Sequence, residues 1–395
     1  MNATADRRSL AQARRIVIKL GTGVVTHDGV RLALGRLHGL VEEFAELRKQ
    51  GKEVLVVSSG AVGLGMRQLG LRERPASLGM RQACAAVGQG HLIALYTQAF
   101  AQLGLTAAQV LLTQGDLGNR DHALCLRTTL TRLLELGTVP ILNENDSVSV
   151  RELIEYWDAS GVENPGAPRR IKAFGDNDGL SARVAVAVDA DLLVLLTDVD
   201  GLYSGNPNLD PTAVRIDRLP AIDDAVLAMT GGKSSGGTGG MRSKLEAARI
   251  ASEAGIATLI ATGHVPRVLA RALQGEDLGT WVEARGTRSA RRRAIATDAH
   301  RGALVVNDGA IRALIERKAS LLPVGVVAVE GRFERGDVIE IRDGSGRVHG
   351  RGLANYDAAA CAALAGHQSS EIDRILGFRG YDALVTRDNL VLTEV

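Results

Sequence analysis

Arg15-Ile16-Val17-Ile18-Lys19-Leu20-Gly21-Thr22-Gly23 decides the fold. The β-branched run Ile16-Val17-Ile18 favours extended backbone, and the glycines behind it permit a sharp turn. The same rhythm recurs outward from it. Val54-Leu55-Val56-Val57 precedes Ser58-Ser59-Gly60-Ala61, and Val139-Pro140-Ile141-Leu142 precedes Asn143-Glu144-Asn145-Asp146. Leu192 to Leu196 precedes Thr197-Asp198-Val199-Asp200-Gly201, and Val110-Leu111-Leu112 and Ala257 to Ile260 complete the set. Unbroken apolar runs of this length suit parallel strands covered on both faces. Between the first two, Leu37, Leu40, Val41, Phe44 and Leu47 recur at helical spacing, with Gly51 as a C-terminal cap. Strand and helix alternate to about residue 260, which predicts an α/β domain: a three-layer αβα sandwich around a mainly parallel central sheet.

Composition narrows the function classes. The 395 residues carry 47 Lys+Arg against 45 Asp+Glu, so no global field recruits nucleic acid or anionic membrane, and phosphate chemistry must be local. Apolar residues at 45% and charged ones at 23% exclude a disordered chain. Cys84, Cys125 and Cys361 are odd in number and lack CxxC spacing, which argues against a disulfide framework or a zinc site and for a reducing compartment. The opening MNATADRRSLAQARR has no apolar signal-peptide core, and no run approaches the ~18 apolar residues of a membrane span. A cytoplasmic protein is expected.

The α/β rhythm ends near residue 285. Arg288, Arg291, Arg292 and Arg293 then sit in a polar stretch without periodicity. This reads as a linker, 286–297, between a first domain, 12–285, and a second domain, 298–382, with a tail to 395. In the second domain VGVVAVEG (324–331), DVIEIRDGSGRVHGRG (337–352) and YDALVTRDNLVL (381–392) read as short strands, with DGSG marking a hairpin. Within the first domain, RELIEYWDASGVENPGAPRR (151–170) carries two prolines and charges of both signs, and reads as a flap over the substrate pocket.

In open parallel sheets ligands bind at the carboxyl ends of the strands. A single Gly or Ser there is ordinarily a helix cap or a tight turn. Here the strand ends are small, polar or glycine throughout, and GDNDG (175–179) and TGGKSSGGTGGMRSK (230–244) add to them. The last stretch has six glycines within 231–240 and runs straight into a helix carrying Leu245, Ala248 and Ala251. Unpaired N–H groups and the helix dipole make such a loop a phosphate cradle. It is not a Walker A loop, no GxGxxG follows the first strand, and the protein-kinase signature is missing around Arg120-Asp121. Lys19, at a buried strand end, needs an anion to offset the cost of burying its ammonium.

In this order, IKLGTG, SSGAVGLG, NENDSVS, FGDNDGLSA, LLTDVDGLY and GTGGMRSKLEAA resemble the glutamate 5-kinases of the amino-acid kinase superfamily. SLLPVGV, GRFERGDVI and SSEIDRILGF resemble the PUA domain that follows the kinase domain in many bacterial members. The resemblance implies the amino-acid kinase fold followed by a small β-rich PUA pseudo-barrel. It implies ATP-dependent phosphorylation of the L-glutamate γ-carboxylate, with Mg2+, as the first step of proline biosynthesis. A carboxylate with an ordinary pKa of about 4.3 is already ionised at neutral pH, so the lack of an obvious catalytic histidine is expected.

The resemblance also implies a site. Lys19 and Lys244 would sit on the transferred phosphoryl group, with Asp178 holding the two ammonium groups. Ser59, Gly60, Asn143, Asp146 and Asn177 would hold glutamate, the carboxylate of Asp146 suiting its ammonium. Gly21, Thr197, Asp198, Thr238, Gly239, Gly240 and Met241 would join the two lysines around ATP; no residue is assigned to the metal. Proline as feedback inhibitor and a homo-oligomer, dimer or tetramer, are expected of the family. RNA binding through the PUA domain is not expected, because the tail offers few rings, chiefly Phe333, Tyr356, Phe378 and Tyr381. An acceptor other than glutamate, such as aspartate, stays open at this level.

Overall fold

The runs of branched aliphatic residues become the strands of one eight-stranded sheet in a computed structural model. The strands are β1 (Arg15–Leu20), β2 (Glu53–Val57), β3 (Ala107–Leu112), β4 (Val139–Glu144), β5 (Leu192–Thr197), β6 (Arg218–Leu219), β7 (Ala257–Thr262) and β8 (Thr280–Val282). Their order is β6-β8-β7-β5-β1-β2-β4-β3. Every pair from β7 to β3 is parallel, while β8 runs antiparallel to β7. The structure describes residues 8–147, 177–207, 209–230, 240–285, 300–378 and 380–393. The proposed flap, 151–170, and the linker, 286–297, lie outside them. Two compact units divide the chain, Met1–Thr287 and Arg288–Val395.

Helices α1 (Leu34–Lys49), α2 (Ala61–Gln68), α3 (Leu78–Gln102), α4 (Arg120–Glu135), α5 (Asn177–Ala187), α6 (Met241–Glu253) and α7 (Val268–Leu273) pack on the sheet. Side chains alternate across a strand with a period of two. On one face Ile16, Ile18 and Leu20 of β1 join Leu37 and Phe44 of α1, Leu92 and Phe100 of α3, and Val268 of α7. On the other, Val17 joins Leu130 of α4, Val184 of α5 and Leu245 and Ala248 of α6. These two cores make the three layers, each fully buried Leu or Ile contributing roughly 1.5–3 kcal/mol. Parity has a consequence for chemistry: Lys19 falls on the same face of β1 as Val17, the face that carries α5 and α6.

The second unit holds a five-stranded sheet of β9 (Gly302–Val306), β10 (Val326–Gly331), β11 (Val338–Arg342), β12 (Val348–Leu353) and β13 (Leu390–Leu392), in the order β10-β9-β11-β12-β13. Pairing is antiparallel except between β9 and β11. The DGSG hairpin forms between β11 and β12, where Asp343 Oδ1 accepts from the N–H groups of Ser345 and Arg347 and from the Ser345 hydroxyl. The Asp343 carboxyl consequently lies below the usual range, held there first by the Ser345 hydroxyl and then by His349. A core of Leu304, Ile339, Ile341, Leu364, Leu384 and Val385 fills the unit.

Candidate active site

Strands β5, β1, β2 and β4 are neighbours, so their carboxyl ends form one edge, on either side of the point where the order reverses. At that edge Lys19, near the end of β1, reaches Asp178, the second residue of α5: Nζ lies 2.5 Å from Oδ1. Lys244, in the first turns of α6, places its Nζ 3.3 Å from Oδ2 of the same carboxylate. Asp178 is 0% exposed and each lysine 5%. One carboxylate thus faces two ammonium groups away from water. Two buried ammonium groups about a single carboxylate suit the approach of an anion, which would be the cluster's fourth member.

Ser243 completes the holding of Asp178. Its Oγ lies 2.9 Å from Asp178 Oδ2 and 2.9 Å from the Gly240 carbonyl. The motif reading passed over this residue. Ser243 is the third residue of a helix whose cap, Gly240, has no side chain to offer.

A second cluster adjoins the first, because Asn177 and Asp178 are consecutive. Asn177 Nδ2 lies 2.7 Å from the Ser58 carbonyl, 3.0 Å from Ser59 Oγ and 2.8 Å from Asn143 Oδ1. Asn143, at the end of β4, donates from Nδ2 to Gln89 Oε1 at 2.7 Å. Gln89 is the second residue missed: it lies inside the long α3 with no motif around it, and only the packing of α3 brings it to this edge. Behind Ser59, the Ser58 hydroxyl meets the buried Tyr96 hydroxyl at 2.9 Å. Burial pushes the Tyr96 phenol well above its usual range, so it stays neutral.

Gly60 turns the chain from β2 into α2 with φ of 98°, in the left-handed region where glycine is favoured. The first N–H groups of α2 follow directly, without intrahelical acceptors. Asp146 is half-buried in the turn after β4. On the remaining side, Gly21 N–H donates to the Leu196 carbonyl at 2.9 Å and ties the turn after β1 to β5. Buried Thr197 donates from Oγ1 to Oδ1 of exposed Asp198 at 2.9 Å. Gly240 caps α6 and Met241 begins it; Thr238 and Gly239 lie outside the described residues. Among the described residues no group of three or more His, Cys, Asp or Glu side chains is placed to hold a metal ion. Nor is any helix among them long and apolar enough to cross a membrane.

The sequence profile of the Amino acid kinase family matches residues 14–262, and that of the PUA domain matches residues 302–376. The chain is 44% identical to the glutamate 5-kinase of Moorella thermoacetica, covering 98% of both proteins. It is 45% identical to that of Thermus thermophilus, over 97% of this chain and 98% of the other. With that of Gloeobacter violaceus it shares 46% identity, over 95% of this chain and 98% of the other. A site of two lysines about one aspartate, on a family domain followed by a PUA domain, and likeness along nearly the whole length agree: the chain belongs to the glutamate 5-kinase family.

Proposed function

We propose that the protein transfers the γ-phosphoryl group of ATP to the γ-carboxylate of L-glutamate, giving L-glutamyl 5-phosphate and ADP, the first step of proline biosynthesis. The observation that carries this reading is the buried Lys19–Asp178–Lys244 cluster at the strand ends. The attacking carboxylate is ionised without help, so no base is needed. What the reaction needs is positive charge where two anions approach, which preorganised cations supply at no cost of rearrangement. A γ-carboxylate oxygen attacks the γ-phosphorus as the bond to the β–γ bridging oxygen breaks. Lys19 and Lys244 would draw charge off the transferred group and the leaving ADP, while Asp178 keeps both ammonium groups on that line.

Ser59, Gly60, Asn143, Asp146 and Asn177 would hold glutamate, and Gly21, Thr197, Asp198 and residues 238–241 would hold the nucleotide. Mg2+ suits this chemistry as an ion carried by the phosphates, since it keeps several waters and rarely uses an all-protein cage. The described residues offer no such cage, and none is assigned to it. A coupled assay offering glutamate, aspartate and N-acetylglutamate with ATP is expected to register turnover with glutamate alone. Comparable turnover with aspartate would move the acceptor assignment. The family reading extends to a homo-oligomer of two or four chains, inhibition by proline, a cytoplasmic setting and no RNA partner for the second unit. Light scattering, proline titration, cell fractionation and RNA gel shifts test these in turn.

A further inference from the structure

We propose that Gln89 is a positioning residue for the glutamate pocket: through Asn143 it orients the amide of Asn177, so that a bare carbonyl oxygen meets the substrate's α-ammonium. The inference rests on the glutamate reading above. It begins at a group that has no choice of role. The backbone N–H of Glu144 can only donate, and it meets Asn143 at 2.9 Å, so that atom of Asn143 is the oxygen Oδ1. The other end of the amide is then the NH2 group, which needs an acceptor, and Gln89 Oε1 at 2.7 Å provides it.

The polarity passes on. The Asn177 atom 2.8 Å from Asn143 Oδ1 has to donate, and the same atom lies 2.7 Å from the carbonyl of Ser58, a pure acceptor. It is therefore Nδ2, and the opposite atom, Asn177 Oδ1, is an acceptor. That oxygen is buried and has no hydrogen-bond partner. A buried acceptor without a donor is unfavourable and is met by a ligand that brings one. At neutral pH the only N–H donor on free glutamate is its α-ammonium.

Gln89 is held in place by its helix. Its neighbour Gly88 lies so close to α2 that an added Cβ would come within 1.8 Å of the Ala61 carbonyl. Helix α3 is thus pressed onto the first turn of α2, beside Ser59 and Gly60, and the Gln89 side chain leaves α3 from a fixed point. Sequence spacing gives no hint of this role, because Gln89 stands 54 residues before Asn143.

Gln89→Met keeps the length of the side chain and removes the acceptor. The KM for glutamate is expected to rise about tenfold, the size of one lost hydrogen bond, with the KM for ATP unchanged and the fold retained. In an Asn143→Ala background the same substitution is expected to leave the glutamate KM unmoved, since Gln89 acts only through Asn143. An unchanged glutamate KM in Gln89→Met, an equal rise for ATP, or the same effect in both backgrounds would each overturn the inference. Should Gln89→Met not fold, Gln89→Ala carries the same comparison. Wild-type enzyme without turnover on glutamate would remove the underlying reading and this inference together; wild-type turnover with an unmoved variant KM would remove the inference alone.

Discussion

Each unit of the molecule buries one carboxylate between two cations, and the two arrangements differ in kind. In the first unit Asp178 faces the ammonium groups of Lys19 and Lys244. In the second, Glu340 on β11 accepts from Arg342 Nε and Nη2 at 2.9 and 2.6 Å on one oxygen, and from Arg351 Nε and Nη2 at 3.2 and 2.8 Å on the other. A guanidinium spends its directional donors on the carboxylate it grips, whereas an ammonium is a compact charge on a flexible stem that can turn to a phosphate. Burial pushes the Glu340 carboxyl up, but the bonds from Arg342 and Arg351 outweigh it and hold it below the usual carboxylate range. The Glu340 group is closed by its own partners. The Asp178 group sets two compact ammonium charges at the strand-end edge.

That contrast breaks most sharply at Lys244. Lys244→Ala is expected to lower kcat by about a thousandfold or more, because the charge opposing the developing phosphoryl transition state is gone. Circular dichroism should show the fold intact, since Asp178 keeps Lys19. A folded variant with near-wild-type turnover would remove Lys244 from the site. Asp178→Asn follows, with a loss of about a hundredfold expected in kcat and smaller changes in both KM values, as for a group that places others and binds nothing itself. Steady-state kinetics decide it: a change confined to the glutamate KM would make Asp178 a substrate ligand.

Glu340→Gln probes the other side of the comparison. It should leave kcat alone and destabilise the second unit by about 1 kcal/mol at neutral pH. The sign of the pH effect follows from the depressed folded-state value. The stabilisation is present above the unfolded carboxylate pKa of about 4.3 and is lost as pH falls through the folded one. Denaturant melts of wild type and variant should therefore converge in acid; a gap that widened would place Glu340 in some other interaction. Turnover is likewise expected to survive ending the chain at residue 285, which we propose as the boundary of the catalytic domain. All the assigned phosphate and carboxylate groups precede it, so glutamate kinase activity should persist. A soluble, folded and inactive truncation would show that the second unit completes the site or the active assembly.

Local pattern made much of this legible. Ile16-Val17-Ile18 and Val54 to Val57 are strands rich in β-branched side chains, which favour extended backbone, and with Leu192 to Leu196 they are buried on both faces as unbroken apolar runs demand. The DGSG turn announced its hairpin. Strands β6, β8 and β9 were not read: Arg218–Leu219 and Thr280–Val282 are two and three residues long, and the short apolar run of Gly302–Val306 suits a buried helix as well as a strand. The antiparallel entry of β8 is likewise a matter of which edge remained open, not of its residues.

Local pattern dictates the α/β layering, the side of β1 on which Lys19 lies, the glycine-rich approach to α6 and, through the motifs, the chemistry. Each of these depends on neighbours within a few residues, where backbone sterics and the periods of strand and helix act. Tertiary structure alone decided that Ser243 would support Asp178 and that Gln89 would reach Asn143. Those contacts follow from strand order and from the close approach of α3 to α2. Neither leaves a mark in local spacing, because a hydrogen bond between distant segments constrains where two side chains meet and not what stands beside them in the chain.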